Sequence, residues 1–194
     1  MPGKLILQYL AKVKELISTG CWVLIPRKKN LDALTNLGIT IQDIKNELDA
    51  ALGDLALSIE HVGSTSVEGL SAKPIIDIDV VIEDVSKLDS VIVAFEKIGY
   101  MHEGDLGVPG REAFKYDGKE HLMKHHLYVC AKDAKELQRH IAFRDYLRTH
   151  ADAVEAYSKV KEEGARLFPE DIDKYIEHKS PFIEEIYKKI FYLE

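Results

Sequence analysis

Apolar residues along the first part of the chain change from helical to strand spacing. Residues three or four positions apart predict a helix over residues 5–17 and another from Ile41 to Gly53. The run from Leu57 to Val62 predicts a strand, and the β-branched run from Pro74 to Ile82 predicts a second one. The segment between them is rich in glycine and hydroxyl side chains, so it is predicted to be a loop.

Beyond Ile82 the spacing becomes helical, then alternating. An apolar stripe over residues 88–98 predicts a helix with Ser86 as its N-cap and Gly99 as its end. Two alternating runs on either side of Asp117-Gly118 predict a hairpin closed by that tight turn.

The last third of the chain carries helical spacing. Helices are predicted from Asp133 onward, and Pro169 interrupts them. Ser180-Pro181 fits an N-cap followed by proline at the first helical position, so a last helix is predicted to begin there. The order of elements predicts an α+β fold, a small mixed β-sheet flanked by helices with a helical C-terminal region.

Composition and charge restrict the class of protein. The 194 residues are 46% apolar and 30% charged, typical of a folded globular chain. A net charge of -7 argues against an extended nucleic-acid surface, though not against a local basic pocket. Two cysteines are too few for a disulfide scaffold, and no apolar run is long enough to span a membrane. We therefore expect a cytoplasmic protein.

Asp77 and Asp79 lie two residues apart in the second predicted strand. Side chains at that spacing share one face of a strand and lie roughly 7 Å apart. Two carboxylates so close repel each other unless a cation lies between them, and Mg²⁺ or Mn²⁺ suits hard oxygen ligands. The alternative is an exposed pair at an open sheet edge, because this pattern is common.

The loop before that strand has residues suited to phosphate binding. Gly63 permits close backbone approach, and the run Ser64, Thr65 and Ser66 offers hydroxyl and amide groups. Lys73 would add a positive charge. An ordinary turn with a solvated lysine is the alternative. His61, just before the loop, would either orient it by a hydrogen bond or pack.

The segment "IEHVGSTSVEGLSAKPIIDIDVVI" (residues 59–82) resembles the GrpB family (UPF0157), a branch assigned to the nucleotidyltransferase superfamily. The resemblance continues in "HHLYVC", "FRDYLRTHADAVEAYSKVK" and "YIEHKSPFI". It implies a nucleotidyltransferase-like domain over residues 41–194. Residues 1–40 lack the family's usual opening and form a separate, helical N-terminal segment in this interpretation.

The resemblance also implies roles for individual residues. Gly63 and Ser64 match the loop that holds nucleotide phosphates, and Asp77 and Asp79 match the metal-binding pair. His126 matches a family histidine on a later strand, where a third catalytic acid normally stands. Tyr128 departs from the second histidine of that pattern, so the third metal ligand stays open.

Basic residues are expected to form a rim that faces the acidic pair. Arg144 and Arg148 lie four residues apart on one helical face, from which arginine binds phosphate bidentately. Pairing with local acids such as Asp145 and Asp152 is the alternative. The other candidate phosphate ligands are Arg111, Lys124, Lys161 and Lys179.

The resemblance favours a metal-dependent nucleotidyltransferase. Such an enzyme moves a nucleoside monophosphate from a nucleoside triphosphate to an acceptor, here unknown. One alternative is a non-catalytic folding or assembly partner, because GrpB-like domains occur fused to dephospho-CoA kinase. A degenerate nucleotide-binding module is the other.

Overall fold

A computed structural model describes residues 41–192 of the chain. The predicted helix over residues 5–17 and the boundary near residue 40 lie outside this part and stay predictions. The described residues form five strands: β1 (Ser58–Val62), β2 (Ile76–Ile82), β3 (Tyr100–Gly104), β4 (Arg111–Tyr116) and β5 (His125–Ala131). They also form five α-helices: α1 (Ile41–Leu52), α2 (Leu88–Glu96), α3 (Lys135–Thr149), α4 (Ala151–Leu167) and α5 (Ile172–Phe191).

The strands make one mixed sheet in the order β1-β2-β5-β4-β3. β2 and β5 run parallel, and the other neighbouring pairs are antiparallel. Parallel neighbours need a long connection, which here contains α2, β3 and β4. The predicted α+β class, a small mixed sheet flanked by helices, is confirmed.

One face of the sheet forms the main hydrophobic core. Ile76, Ile78 and Val80 of β2 point into it and are almost completely buried. Helices α1 and α2 cover this face, because their apolar stripes pack against the strands. The alternation of side chains along β2 therefore places Asp77 and Asp79 on the opposite face, which we call the site face.

The C-terminal helices cover part of the site face and hold the loop between β1 and β2. Leu137 of α3 packs on Val81 and Cys130 of the sheet. Val67 and Leu70 of the loop are buried in a second cluster that belongs to the C-terminal helices. The remaining buried members of this cluster are Leu147, Ala153, Val154, Tyr157 and Ile186.

The prediction of a helix that begins at Ser180-Pro181 is wrong. Helix α5 runs through this site, and its N-cap is Asp171, whose side chain accepts a hydrogen bond from the Lys174 amide. Within the helix the Ser180 hydroxyl donates to the Ile176 carbonyl at 2.7 Å. Packing of the helix outweighs the hydrogen bond that an internal proline removes.

Three smaller differences concern the middle of the chain. The β4–β5 pairing is confirmed, but an eight-residue connection, residues 117–124, replaces the predicted tight turn at Asp117-Gly118. The sequence patterns do not predict strand β3, which has only five residues. Its pairing with β4 is irregular. The Asp84 side chain, rather than Ser86, caps the turn before α2 by accepting from the Ser86 amide.

Within residues 41–192, none of the helices combines the length and the apolar character that a membrane span requires.

Candidate functional site

The sheet register brings β1, β2 and β5 together around the two aspartates. Asp77 pairs with Val62 of β1 and with His126 of β5, and Asp79 pairs with Tyr128 of β5. All of these side chains lie on the site face. The two aspartates differ in burial: the side chain of Asp77 is 32% exposed, and that of Asp79 is 0% exposed.

Each aspartate has a histidine partner. His126 Nδ1 lies 2.9 Å from Asp77 Oδ1, and His140 Nδ1 lies 2.7 Å from Asp79 Oδ2. The second ring nitrogen of His140 lies 3.3 Å from Glu136 Oε1. Burial lowers the pKa of His140, but the hydrogen bond to Asp79 and nearby carboxylates outweigh it, so the pKa is raised overall. The raised pKa favours the charged form of His140, which offsets the carboxylate charge of Asp79 and Glu136.

His140 did not emerge from the sequence. Glu136, His140 and Arg144 are spaced by four residues, which places them on one face of α3 toward the sheet. This polar stripe is the signal that would have identified His140. The apolar pattern of the same helix indicates only the residues that pack on the sheet, such as Leu137.

One oxygen of the acidic pair, Asp79 Oδ1, suits a hard cation. Asp79 Oδ1 is buried and has no hydrogen-bond partner among residues 41–192. A buried carboxylate oxygen without a donor is unfavourable, and coordination to a divalent cation would satisfy it. In the same part of the chain, however, no three histidine, cysteine or acidic side chains gather into a metal-binding group. Binding of metal by Asp77 and Asp79 therefore stays a prediction.

Tyr128 takes the position beside Asp79 on β5. The guanidinium of Arg111 stacks over its ring, 4.3 Å from the centroid. Burial raises the pKa of the Tyr128 phenol, which stays neutral near pH 7. The predicted phosphate ligand Arg111 thus lies on the site face, on the β4 side of the aspartates.

Gly63 allows the loop to approach Asp77 closely. Its φ is +67°, and a Cβ atom at this position would lie 2.1 Å from Asp77 Oδ2. A side chain would therefore collide with the carboxylate as well as strain the backbone. Glycine is required here by the packing of the loop against the first aspartate.

The three hydroxyls of the loop have different partners. Ser64 Oγ accepts from Lys161 Nζ at 2.5 Å, whereas Ser66 Oγ donates to the Gly63 carbonyl at 2.6 Å. Thr65 Oγ1 lies 2.9 Å from His61 Nε2, so His61 orients the loop by a hydrogen bond. Burial lowers the pKa of His61 to about 4, which keeps this ring neutral. Ser64 is the hydroxyl that contacts a lysine.

Lys73, Lys161 and Lys179 form what we call the lysine cluster. Lys161 is 4% exposed, and burial together with the charge of Lys179 lowers its pKa to about 7. Burial and the charges of Lys179 and Lys124 lower the pKa of Lys73 to about 8. Lys73 Nζ and Lys179 Nζ lie 5.1 and 5.2 Å from the centroid of the Tyr175 ring.

The two arginines of α3 bind the protein backbone near the loop. Arg144 Nη1 donates to Glu60 Oε2 at 2.8 Å and to the His61 carbonyl at 3.2 Å. Arg148 donates twice to the Ser66 carbonyl, from Nε at 3.1 Å and Nη2 at 2.9 Å. Arg144 also pairs with Asp145, in keeping with the alternative of local acids. Arg148 therefore holds the loop, whereas Arg144 holds the end of β1 that leads into it.

A groove of about 620 Å³ opens on the β5 side of the aspartates. Lys124, His126 and Tyr128 line it together with residues of β4 and of the connection to β5. His126 also contacts Asp77, so one lining residue of the groove connects it to the first aspartate. The volume falls within the range of small-molecule sites.

Comparison with known proteins gives a consistent set of relatives. Residues 39–189 match the family model described as GrpB protein. The chain is 34% identical over 147 residues to the glutamate-rich protein GrpB of Alkalihalophilus pseudofirmus. This alignment covers 73% of this chain and 83% of that protein. It is 31% identical to the UPF0157 protein YqkA of Bacillus subtilis over 72% of this chain but 40% of that relative.

Two further matches extend this picture. A dephospho-CoA kinase of Mycolicibacterium paratuberculosis is 27% identical over 76% of this chain and 42% of the kinase. The crystal structure of conserved protein GrpB from Enterococcus faecalis superposes with a TM-score of 0.71 at 32% identity, over 87% of this chain and 96% of that one. Cid1 poly(U) polymerase, with a TM-score of 0.48 and 10% identity over 82% and 48%, is too distant to support a statement about function.

Proposed function

The chain belongs to the GrpB family, and from this premise and the geometry of the site we propose that it is a metal-dependent nucleotidyltransferase. It would transfer a nucleoside monophosphate from a nucleoside triphosphate to an acceptor. The single observation that carries the proposal is the lysine cluster beside Asp77. The buried ammonium group of Lys161 favours an anion beside it, and the nearby carboxylate of Asp77 suits a cation.

The lysine cluster supports a polyphosphate ligand. Burying an ammonium group without a counter-charge is unfavourable, and the lowered pKa of Lys161 expresses this cost. Lys161 hydrogen-bonds a neutral hydroxyl, Ser64 Oγ. A triphosphate would place negative charge beside Lys161 and accept a charge-assisted hydrogen bond from its ammonium group.

The acidic pair supports the metal. Asp77 and Asp79 would hold Mg²⁺ or Mn²⁺, and Asp79 would bind the ion through Oδ1, which has no hydrogen-bond partner within residues 41–192. When bound, the ion would neutralise charge on the phosphates and help to position them. His126 would orient Asp77 through the bond to Oδ1, and it borders a groove that would take the acceptor.

The proposed reaction would release the β- and γ-phosphates as pyrophosphate. A hydroxyl or amine of the acceptor would attack the α-phosphorus while the bond to the β-phosphate breaks. Pyrophosphate would leave with the electron pair, and the acceptor proton would pass to solvent. Lys161 and Ser64 would hold the departing phosphates, so that catalysis relies on positioning and on neutralised charge.

The test measures binding before chemistry. Thermal unfolding is followed with each of the four nucleoside triphosphates and with inorganic tripolyphosphate, in the presence and absence of Mg²⁺. We expect all five ligands to raise the Tm, more strongly with Mg²⁺. Lys161→Met should abolish the shift, and Lys159→Met, on the exposed side of α4, should retain it. A wild-type Tm that none of the ligands moves would contradict the proposal.

A second candidate rests on the match to a dephospho-CoA kinase, 42% of which aligns with this chain. The domain would assist the folding or assembly of such a kinase without catalysis of its own, or act as a degenerate nucleotide-binding module. Co-purification with a dephospho-CoA kinase that survives the double change Asp77→Ala and Asp79→Ala would favour the assembly role. Loss of the complex in that variant would count against it.

A further inference from the structure

We propose that His140 is the positioning residue of the candidate metal site, which holds Asp79 so that a single carboxylate oxygen, Oδ1, is left for the cation. The inference rests on the proposed function, because it takes Asp79 as a metal ligand. It concerns a residue on α3, 61 positions from its partner along the chain.

The two oxygens of Asp79 are in different situations. Oδ2 is hydrogen-bonded to His140 Nδ1 at 2.7 Å, whereas Oδ1 is buried without a partner among the described residues. The side chain of Asp79 is 0% exposed, so hydrogen bonds to water do not compete with the one from His140. The histidine therefore decides which oxygen is free to bind a cation.

The imidazole of His140 is itself held at its other nitrogen. Glu136 Oε1 lies 3.3 Å from Nε2, one turn earlier in α3. Each ring nitrogen thus faces a carboxylate, and this arrangement directs Nδ1 toward Asp79. Outer residues of this kind commonly orient metal-binding side chains, and their loss lowers metal affinity by 10- to 100-fold.

Two amide substitutions separate the roles of the two nitrogens. The amide of Asn reaches roughly the place of histidine Nδ1, whereas that of Gln reaches roughly the place of Nε2. His140→Asn should therefore keep the hydrogen bond to Asp79 and lose the contact with Glu136. His140→Gln should do the opposite, and His140→Ala should lose both.

The experiment measures Mn²⁺ binding to the full chain by titration calorimetry and by the electron paramagnetic resonance signal of free Mn²⁺. We expect His140→Ala and His140→Gln to raise the Kd for Mn²⁺ at least tenfold. His140→Asn should stay within about threefold of the wild type. Gln138→Ala, at an exposed position of the same helix, should bind Mn²⁺ as the wild type does.

The outcomes distinguish this inference from the proposed function. Wild-type protein that binds no Mn²⁺ overturns the metal dependence, and the role of His140 falls with it. Wild-type binding with an unchanged Kd in His140→Gln overturns the inference alone. Circular dichroism identifies a variant that has not folded. If His140→Ala is such a variant, the comparison of Asn with Gln still decides, because an equal loss in both refutes the assignment to Nδ1.

Discussion

Lys161 should destabilise the folded protein when no anion is bound beside it. Its pKa falls from 10.5 to about 7, because burial and the charge of Lys179 disfavour the ammonium form. Lys161→Met keeps an apolar side chain of similar length in the buried position and removes the charge. We therefore expect the variant to unfold at higher urea concentration than the wild type at pH 7.

The magnitude follows from the pKa difference. About 1.4 kcal/mol for each pKa unit gives roughly 5 kcal/mol for burying the charged form. Because Lys161 is half neutral at pH 7, the penalty there is about 4 kcal/mol, and it falls to about 2 kcal/mol at pH 9. Loss of the hydrogen bond to Ser64 costs about 1 kcal/mol. The variant should then be more stable by about 3 kcal/mol at pH 7 and by about 1 kcal/mol at pH 9.

The sign of the pH dependence is set by proton binding. The folded-state pKa lies below the unfolded-state value, so between about pH 7 and 10.5 the unfolded chain binds more protons. The wild type therefore gains stability as pH rises through this window, and its difference from Lys161→Met narrows.

The assay is urea unfolding followed by circular dichroism in a buffer free of phosphate and sulfate. Lys159→Met is the matched control, because Lys159 is exposed on the same helix and pairs with Glu155. It should shift the free energy of unfolding by less than about 0.5 kcal/mol at both pH values. If Lys161→Met is no more stable than the wild type at either pH, a buried-charge penalty does not exist and the argument for a missing anion fails.

Two further predictions concern the loop that faces Asp77. Gly63→Ala should lower the free energy of unfolding by about 3 kcal/mol, because its Cβ would collide with Asp77 Oδ2; Gly118→Ala, with a φ of +70° and open space around it, should show the smaller backbone cost alone in the same urea titration. Arg148→Ala removes both hydrogen bonds to the Ser66 carbonyl and should cost about 1–2 kcal/mol in urea unfolding. Arg148→Ala should also weaken tripolyphosphate binding severalfold, as measured by calorimetry. An unchanged Kd would show that the two hydrogen bonds from Arg148 do not order the loop.

Local patterns in the sequence were sufficient to predict most strands of the sheet and the shared face of Asp77 and Asp79. The alternation of β2 placed its isoleucines in the core and both aspartates on the other face, because side chains in a strand alternate regardless of what surrounds it. The stripe of α1 is buried at Ile44, Leu48 and Leu52 for the equivalent reason in a helix. The family motif added membership of the GrpB family, whose model matches residues 39–189.

Local signals failed where packing opposed them. Ser180-Pro181 has the residues of a helix start, but Tyr175 and Ile186 on either side of it are both buried in one continuous helix. The Asp117-Gly118 turn is absent because the connection folds back toward α1, where Lys119 pairs with Glu47. Neither partner is visible in a window of neighbouring residues.

The sequence by itself indicated most of the elements, the family and a set of candidate site residues. The tertiary structure decided which of them meet. Asp77 bonds a histidine 49 positions away, Asp79 one that is 61 positions away, and Ser64 a lysine 97 positions away. Such pairs depend on strand order and helix packing, which follow from burial across the whole chain. The periodicity of a single segment fixes the direction of its side chains and leaves their partners open.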